Sequence, residues 1–513
     1  MYLKAKPLFS EAKRPMVFLN KEDAEELGVR PLDRIQLSYK KNRIVAIINI
    51  TEKFVSAGEV GLYSDVENEL QTREGSLIKT EPVDPPESIA FIKKKLSGNN
   101  LVSAELKKII EDVVENRLSE IEITAFVIGL YHHGLSVQEA AYLSRAMAQT
   151  GKMITTWKKP IYDKHSIGGV PGDKTSMLLV PVVAAAGLTI PKTSSRAITA
   201  PAGTADRMEC LCPVSLDINE IKRVIEKTNG CLVWGGALDL APADDIFIEI
   251  EYPLSIDPLL LPSVMSKKKA IGANYVVIDI PTGKGVKVKT IAEAQELGSK
   301  FIHLGKKLGI SVECVSTLGD QPVGYGIGPA LEAREVLKTL LEGRGPADLI
   351  DKVSNLASVL FDFAGFKDGK QKALDIIKSG KAGKKLTEII EAQGGNPKIK
   401  AEGIPIGPES VEIKSRKSGQ VLWINNRVIT QTAREAGAPK DKEAGILLHK
   451  KTNDNVKKGE TLFEIYAKKK HKLKRALKFL RTQDVMKIGK PHEMVLTEIP
   501  KEEEKEEFFI LER

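Results

Sequence analysis

A chain of 513 residues is longer than one hydrophobic core normally serves, so three or four domains or subdomains are expected. With 42% apolar and 28% charged residues it has a globular balance, which excludes a disordered or low-complexity protein. Much of the net charge of +9 sits in the run 468–481, where Leu473, Leu477 and Leu480 recur at helical spacing. An amphipathic helix with a solvated basic face is expected there, partly balanced by the acidic stretch 501–507, and no nucleic-acid partner is expected.

The opening MYLKAKPLFSEAKRP lacks the apolar run of a signal peptide, and no later segment has about 18 uncharged apolar residues in a row. A cytoplasmic protein with no membrane partner is expected. Residues 1–84 alternate short apolar runs (16–19, 34–37, 43–50) with turns and end in a proline-rich linker, which predicts a small β-rich domain. Over 87–155 the apolar period becomes helical, with Ser136 as a cap and Glu139 three residues on, predicting a helical subdomain. A helical segment near 255–273 is expected to join it in space.

Residues 156–400 alternate short strands (275–280, 311–315) with helical stretches (176–186, 291–308), the pattern of an α/β domain, and a mixed sheet is expected. Residues 410–513 read as an α+β domain. The fold class is therefore multidomain α/β: an N-terminal β-rich domain, a helical subdomain, a central α/β domain and a C-terminal α+β domain. Cys210 and Cys212 resemble half of a metal site, but no second pair stands at zinc spacing; buried thiols, no metal and no cofactor are expected.

Two loops carry the chemistry. In YDKHSIGGVPGDKTS (162–176) a strand enters a glycine-rich turn and a helix begins near Asp173, an arrangement whose free main-chain N-H groups can cradle an anion. It is not a nucleotide-triphosphate loop, because Asp173 separates Gly172 from Lys174. In PKTSSRAITAPAGTAD (191–206) a second hydroxyl-rich loop follows the strand 188–190 and opens a helix near Thr204. Two such loops imply one pocket at the carboxyl edge of a sheet, holding two phosphates or a phosphate and a sugar.

Together, KHSIGGV (164–170), SSRAITAPAGTADRME (194–209), LAPAD (240–244), PVG (322–324) and GPALE (328–332) resemble the thymidine and pyrimidine-nucleoside phosphorylase family, over about residue 87 to the C-terminus. The extra N-terminal domain, the proline of VPG (170–172) and the form SSRAIT resemble its archaeal AMP phosphorylase branch. The resemblance implies that the attacking phosphate is held by Lys164, Ser166, Ser176, Ser194 and Thr204. It implies AMP binding through Gly169, Ser195, Arg196, Ala197, Ile198, Thr199, Ala200, Thr204, Ser263 and Lys287, and proton donation by Asp257, in PLSIDP (253–258). His165 and Lys267 are further candidates. Arg196 is expected to grip a 5'-phosphate, since a guanidinium binds phosphate at two points.

The chain departs from the family where nucleoside members carry Tyr and Arg to read a pyrimidine: Ile248 and Glu251 stand there, although Ser263 and Lys267 remain. Pro201 replaces a usual Thr or Ala. Taken by itself, Asp257 before Pro258 reads as a helix cap, Lys287 as the solvent side of a strand, and His165 equally well as a structural hydrogen bond.

The expected reaction is AMP plus phosphate to adenine plus ribose 1,5-bisphosphate, with CMP and UMP as further substrates and a homodimer or larger homo-oligomer as the assembly. The alternatives are a pyrimidine-nucleoside phosphorylase, a phosphoribosyltransferase, and a non-catalytic nucleotide- or RNA-binding protein.

Overall fold

The computed structural model describes residues 1–12, 14–154, 160–198 and 200–490; Thr199 and the acidic stretch 501–507 lie outside the described residues. At the N-terminus the strands Tyr2–Pro7, Met16–Asn20, Arg34–Tyr39, Asn42–Thr51, Glu59–Leu62 and Leu77–Val83 close into a barrel, which leaves no unpaired sheet edge. Alternate residues such as Leu3, Val17, Leu19, Ile35, Leu37, Val60 and Ile78 fill its interior, as period-two patterning requires. Arg34 ties the barrel to its neighbour by pairing with Glu122 and donating to the Arg117 carbonyl at 3.1 Å.

The helical subdomain comprises Ser88–Leu96, Ser103–Val114, Glu120–His133 and Val137–Gln149. Ser136 caps the last of these as expected: its Oγ accepts from the Glu139 amide at 3.1 Å, and the Glu139 carboxylate accepts from the Ser136 amide at 3.0 Å. Two later helices pack onto this bundle. Pro242–Leu254 inserts Phe247 beside Phe126, and Leu260–Ala270 shares a core with Ala140 and Ala141 through Val264 and Met265.

The central domain contains β1 (Tyr162–Ser166), α1 (Thr175–Ala185), β2 (Ile190–Ser194), α2 (Thr204–Met208), β3 (Gly230–Trp234), α3 (Pro242–Leu254), α4 (Leu260–Ala270), β4 (Tyr275–Thr282) and β5 (Ser311–Leu318). β1 pairs with β4, β4 with β5, and β2 with β3; a bridge from Ile161 to Thr189 joins β1 to β2. The spatial order is 3-2-1-4-5.

Every one of these pairings is parallel, which corrects the mixed sheet expected from sequence. The reason lies in the connections: each strand returns through a helical crossover, so all run the same way. The chain winds outward in both directions from β1, so the crevice of the topological switch opens at the carboxyl end of β1, where the first loop begins.

In the C-terminal domain Glu409–Lys414, Gly445–Leu448 and Thr461–Ala467 form an antiparallel sheet that also takes in Gly326–Ile327 from the central chain. α5 (Asn426–Glu435) and the helix Lys470–Leu480 cover it. The basic run behaves as expected. Leu473 is buried, Leu477 and Leu480 pack on the core, and three charges are spent locally: Lys472 on Asp441 (2.6 Å), Lys468 on Glu443 (2.9 Å) and Arg475 on Glu435 (2.6 Å). Among the described residues no helix is long and apolar enough to cross a membrane.

Candidate active site

Register brings the two loops together. Ser166 and Ser194 each lie five residues beyond the bridge that joins Ile161 to Thr189, so both end their strands at one level of the carboxyl edge. Asp279 of β4 stands opposite Ser166 in the same row. Lys164 is buried with its ammonium 3.6 Å from Asp279, and Lys352 bridges Asp279 (2.9 Å) and Asp173 (3.3 Å). Burial opposes charge on Asp173, but Lys352 and Lys164 hold its carboxyl well below the usual carboxylate range.

Ser166 Oγ donates toward Asp173 at 3.4 Å, and Ser176 is buried in the first turn of α1. The Ser194 hydroxyl is buried without a hydrogen-bond partner among the described residues. A buried hydroxyl in that state is costly unless a ligand satisfies it.

The second loop is held from inside by Asp206, whose Oδ2 accepts from the amides of Ala197 and Gly203, both at 2.8 Å. Gly203 is obligatory there: a Cβ would stand 2.6 Å from the Ala197 nitrogen and the Ser195 oxygen. Arg207, buried beside Thr204, pairs with Glu332 at 2.5 Å and donates to the Ala202 carbonyl at 2.8 Å. Arg434 of α5 donates to the Ile198 and Ala200 carbonyls at 2.8 and 3.3 Å.

Arg196 departs from expectation. Its two-point grip goes to Glu209, at 2.8 and 2.7 Å, while its guanidinium lies over the Trp234 ring. The Arg196 hydrogen bonds hold the Glu209 carboxyl down at about 2. Arg196 therefore braces the loop, and its guanidinium is committed to a carboxylate.

The other wall of the cleft comes from the turn between α3 and α4. Asp257 does not cap α4, which opens at Leu260 behind Leu259; its carboxylate accepts from Lys287 Nζ at 2.8 Å, with 41% and 50% of the two side chains exposed. Gly169 meets the same segment. At φ +100° it adopts a conformation that favours glycine, and a Cβ there would lie 3.4 Å from the Lys287 nitrogen. Lys287 thus adjoins Gly169 by its main chain and Asp257 by its side chain, although the three are far apart in sequence. Ser263 lies on α4, and Lys267, one turn on, pairs with Asp244 of the LAPAD motif.

His165 is driven well below the usual imidazole range by burial and then by Lys268 and Lys192, so it is neutral at pH 7. Two groups escaped the sequence reading. Lys192 is buried on β2, where burial and the neighbouring Lys268 pull its ammonium down to about 7. Glu251, noted only as a departure, is buried and accepts from the Leu259 amide at 3.2 Å; burial and then the Asp257 charge push its carboxyl up to about 8. Their burial is tertiary, and no local pattern signals it.

A cavity of about 370 Å³ joins these parts to the C-terminal domain. Gly169, Val170, Pro171, Ala200 and Gly285 line one side, and Asn426, Arg427, Thr430 and Gln431 of α5 line the other. A depression of about 500 Å³ along 367–381 shares no residue with these loops.

Family comparisons follow the same architecture. The helical bundle domain of a glycosyl transferase family matches residues 89–151, the α/β domain of that family 158–383, and the pyrimidine nucleoside phosphorylase C-terminal domain 421–487. The AMP phosphorylase of Thermofilum pendens is 45% identical over 96% of both chains. That of Pyrococcus furiosus is 49% identical over 94% of this chain and 97% of its own, and that of Thermococcus kodakarensis 50% identical over 93% and 95%.

Among solved structures, anthranilate phosphoribosyltransferase from Thermus thermophilus superposes with a TM-score of 0.50 at 19% identity, covering 59% of this chain and 98% of that one; it shows a shared fold. By sequence over nearly its whole length, and by the order of its domains, the chain belongs to the AMP phosphorylase family.

Proposed function

We propose that the protein cleaves the N-glycosidic bond of nucleoside 5'-monophosphates by phosphorolysis, converting AMP and inorganic phosphate to adenine and ribose 1,5-bisphosphate, with CMP and UMP as further substrates. The observation that carries this reading is the meeting of the Gly169 loop, Lys287 and Asp257 beside two hydroxyl-bearing strand ends at the switch of the sheet. Near-full-length identity to proteins named AMP phosphorylase selects the nucleotide over the nucleoside. The four free cysteines accord with a cytoplasmic location. A homodimer through the helical subdomain is the expected assembly.

In this mechanism Lys164, Ser166, Ser176, Ser194 and Thr204 hold phosphate beside C1'. One phosphate oxygen forms the new bond to C1' as the bond from C1' to the base nitrogen breaks, and the positive charge that develops on the ribose ring is stabilised by the adjacent anion. The bonding pair passes to the base, which takes a proton from Asp257 on a ring nitrogen and departs neutral. Lys287, whose Nζ lies 2.8 Å from the Asp257 carboxylate, stands beside the same nucleotide.

The test is to incubate the protein with AMP, CMP, UMP, adenosine and thymidine, with and without phosphate and in EDTA, and to assay free base. Phosphate-dependent release of adenine from AMP is expected. Preference for thymidine would assign the chain to nucleoside chemistry, and a requirement for magnesium and diphosphate would favour a phosphoribosyltransferase.

A further inference from the structure

Residues 427, 430, 431 and 434 recur at helical spacing and form one face of α5, turned toward the loops of the central domain. The helix is fixed at both ends of that face. Arg434 donates to the Ile198 and Ala200 carbonyls, and Asn426 Nδ2 donates to the Gly319 carbonyl at 2.7 Å. The cavity of about 370 Å³ lies between these anchors, with Arg427 and, one turn along, Thr430 facing Gly169, Ala200 and Gly285.

Arg427 is exposed and makes no hydrogen bond or ion pair among the described residues. Arg196, Arg207 and Arg434, by contrast, are committed to carboxylates or carbonyls. None of the described residues that line the cavity is acidic. An unpaired guanidinium and a hydroxyl around a space without carboxylates suit a small dianion, which a guanidinium binds through two charge-assisted hydrogen bonds.

We propose that Arg427, assisted by Thr430, binds the 5'-phosphate of the nucleotide, so that the C-terminal domain selects nucleotides over nucleosides. The proposal rests on the phosphorolysis of AMP proposed above. It supplies the phosphate grip that Arg196, held by Glu209, does not. It also orders the substrate along the cleft: Gly169, which lines the cavity, lies against the main chain of Lys287, whose side chain pairs with Asp257.

The experiment measures dissociation constants for AMP and for adenosine, by calorimetry, on wild type, Arg427→Gln and Arg427→Lys, together with adenine release from AMP by the wild type. Arg427→Gln is expected to weaken AMP binding by about ten- to a hundredfold, the range for a hydrogen bond to a charged group, with adenosine binding unchanged and Arg427→Lys intermediate. Because Arg427 makes no internal bond, the variants keep the wild-type melting temperature. No loss for AMP, or an equal loss for AMP and adenosine, overturns the assignment of Arg427, and wild-type release of adenine then leaves the nucleotide reading standing. A wild type that releases no adenine overturns both.

Discussion

Asp257 sits on a turn and is half-exposed, and its carboxylate pairs with a lysine 30 positions away instead of capping α4. Asp257→Asn keeps the shape and removes the acid. Its kcat for AMP should fall by roughly a hundred- to ten-thousandfold with little change in the dissociation constant; steady-state kinetics beside calorimetry checks this, and normal turnover would remove Asp257 from the mechanism.

Glu251 makes a pH prediction. Its carboxyl is raised from 4.5 to about 8 in the fold, so between those values the native state holds a proton that the unfolded chain releases. Stability from this group is therefore present at pH below 4.5 and is lost as pH rises through about 8. Glu251→Gln should stabilise the protein by about 1–3 kcal/mol at pH 9 relative to pH 5, read as a melting temperature whose gain over wild type grows with pH. An equal gain at both pH values would contradict the burial argument.

Among the elements, legibility follows local pattern. The basic helix is readable because Leu473, Leu477 and Leu480 mark one face, and the capping pair of Ser136 and Glu139 marks a helix start. From sequence β2 ends at Ile190, because Pro191, Lys192 and Thr193 resemble a loop; in the sheet they are buried, and the strand runs to Ser194. Glycines and hydroxyls mark both loops at the strand ends. The α5 contribution is illegible, since Arg427 and Arg434 have the spacing of any amphipathic helix and only docking reveals what they face.

Loop shape is itself testable at this scale. Gly203→Ala forces a Cβ to within 2.6 Å of main-chain atoms of Ser195 and Ala197, so the second loop must shift. A displacement of about 1 Å should cost roughly a hundredfold in kcat/KM for AMP, with far-UV circular dichroism unchanged; undiminished kcat/KM would mean that the loop does not position substrate.

Across the whole molecule the cleft depends on how the C-terminal domain is seated. Two buried lysines reach the 322–326 segment. Lys174, in the glycine-rich loop before α1, donates to the carbonyls of Val323 (2.9 Å) and Gly326 (3.0 Å), while Lys451 donates to Gly324 (2.9 Å) and pairs with Asp348 (2.8 Å). Lys451→Met leaves Asp348 and the Gly324 carbonyl without their cation. It should destabilise the fold by about 1–3 kcal/mol and let the C-terminal domain melt as a separate calorimetric transition, whereas a single unshifted transition would show that the clamp is dispensable.

The direct measurement of whether both loops serve one ribose is a crystal structure with AMP and sulfate in place of phosphate. The expected result is a sulfate within hydrogen-bond reach of Ser166, Ser194 and Thr204, on the C1' side of a nucleotide whose base approaches Asp257. Sulfate and ribose in separate cavities, with Ser166 and Thr204 on different ligands, would contradict it.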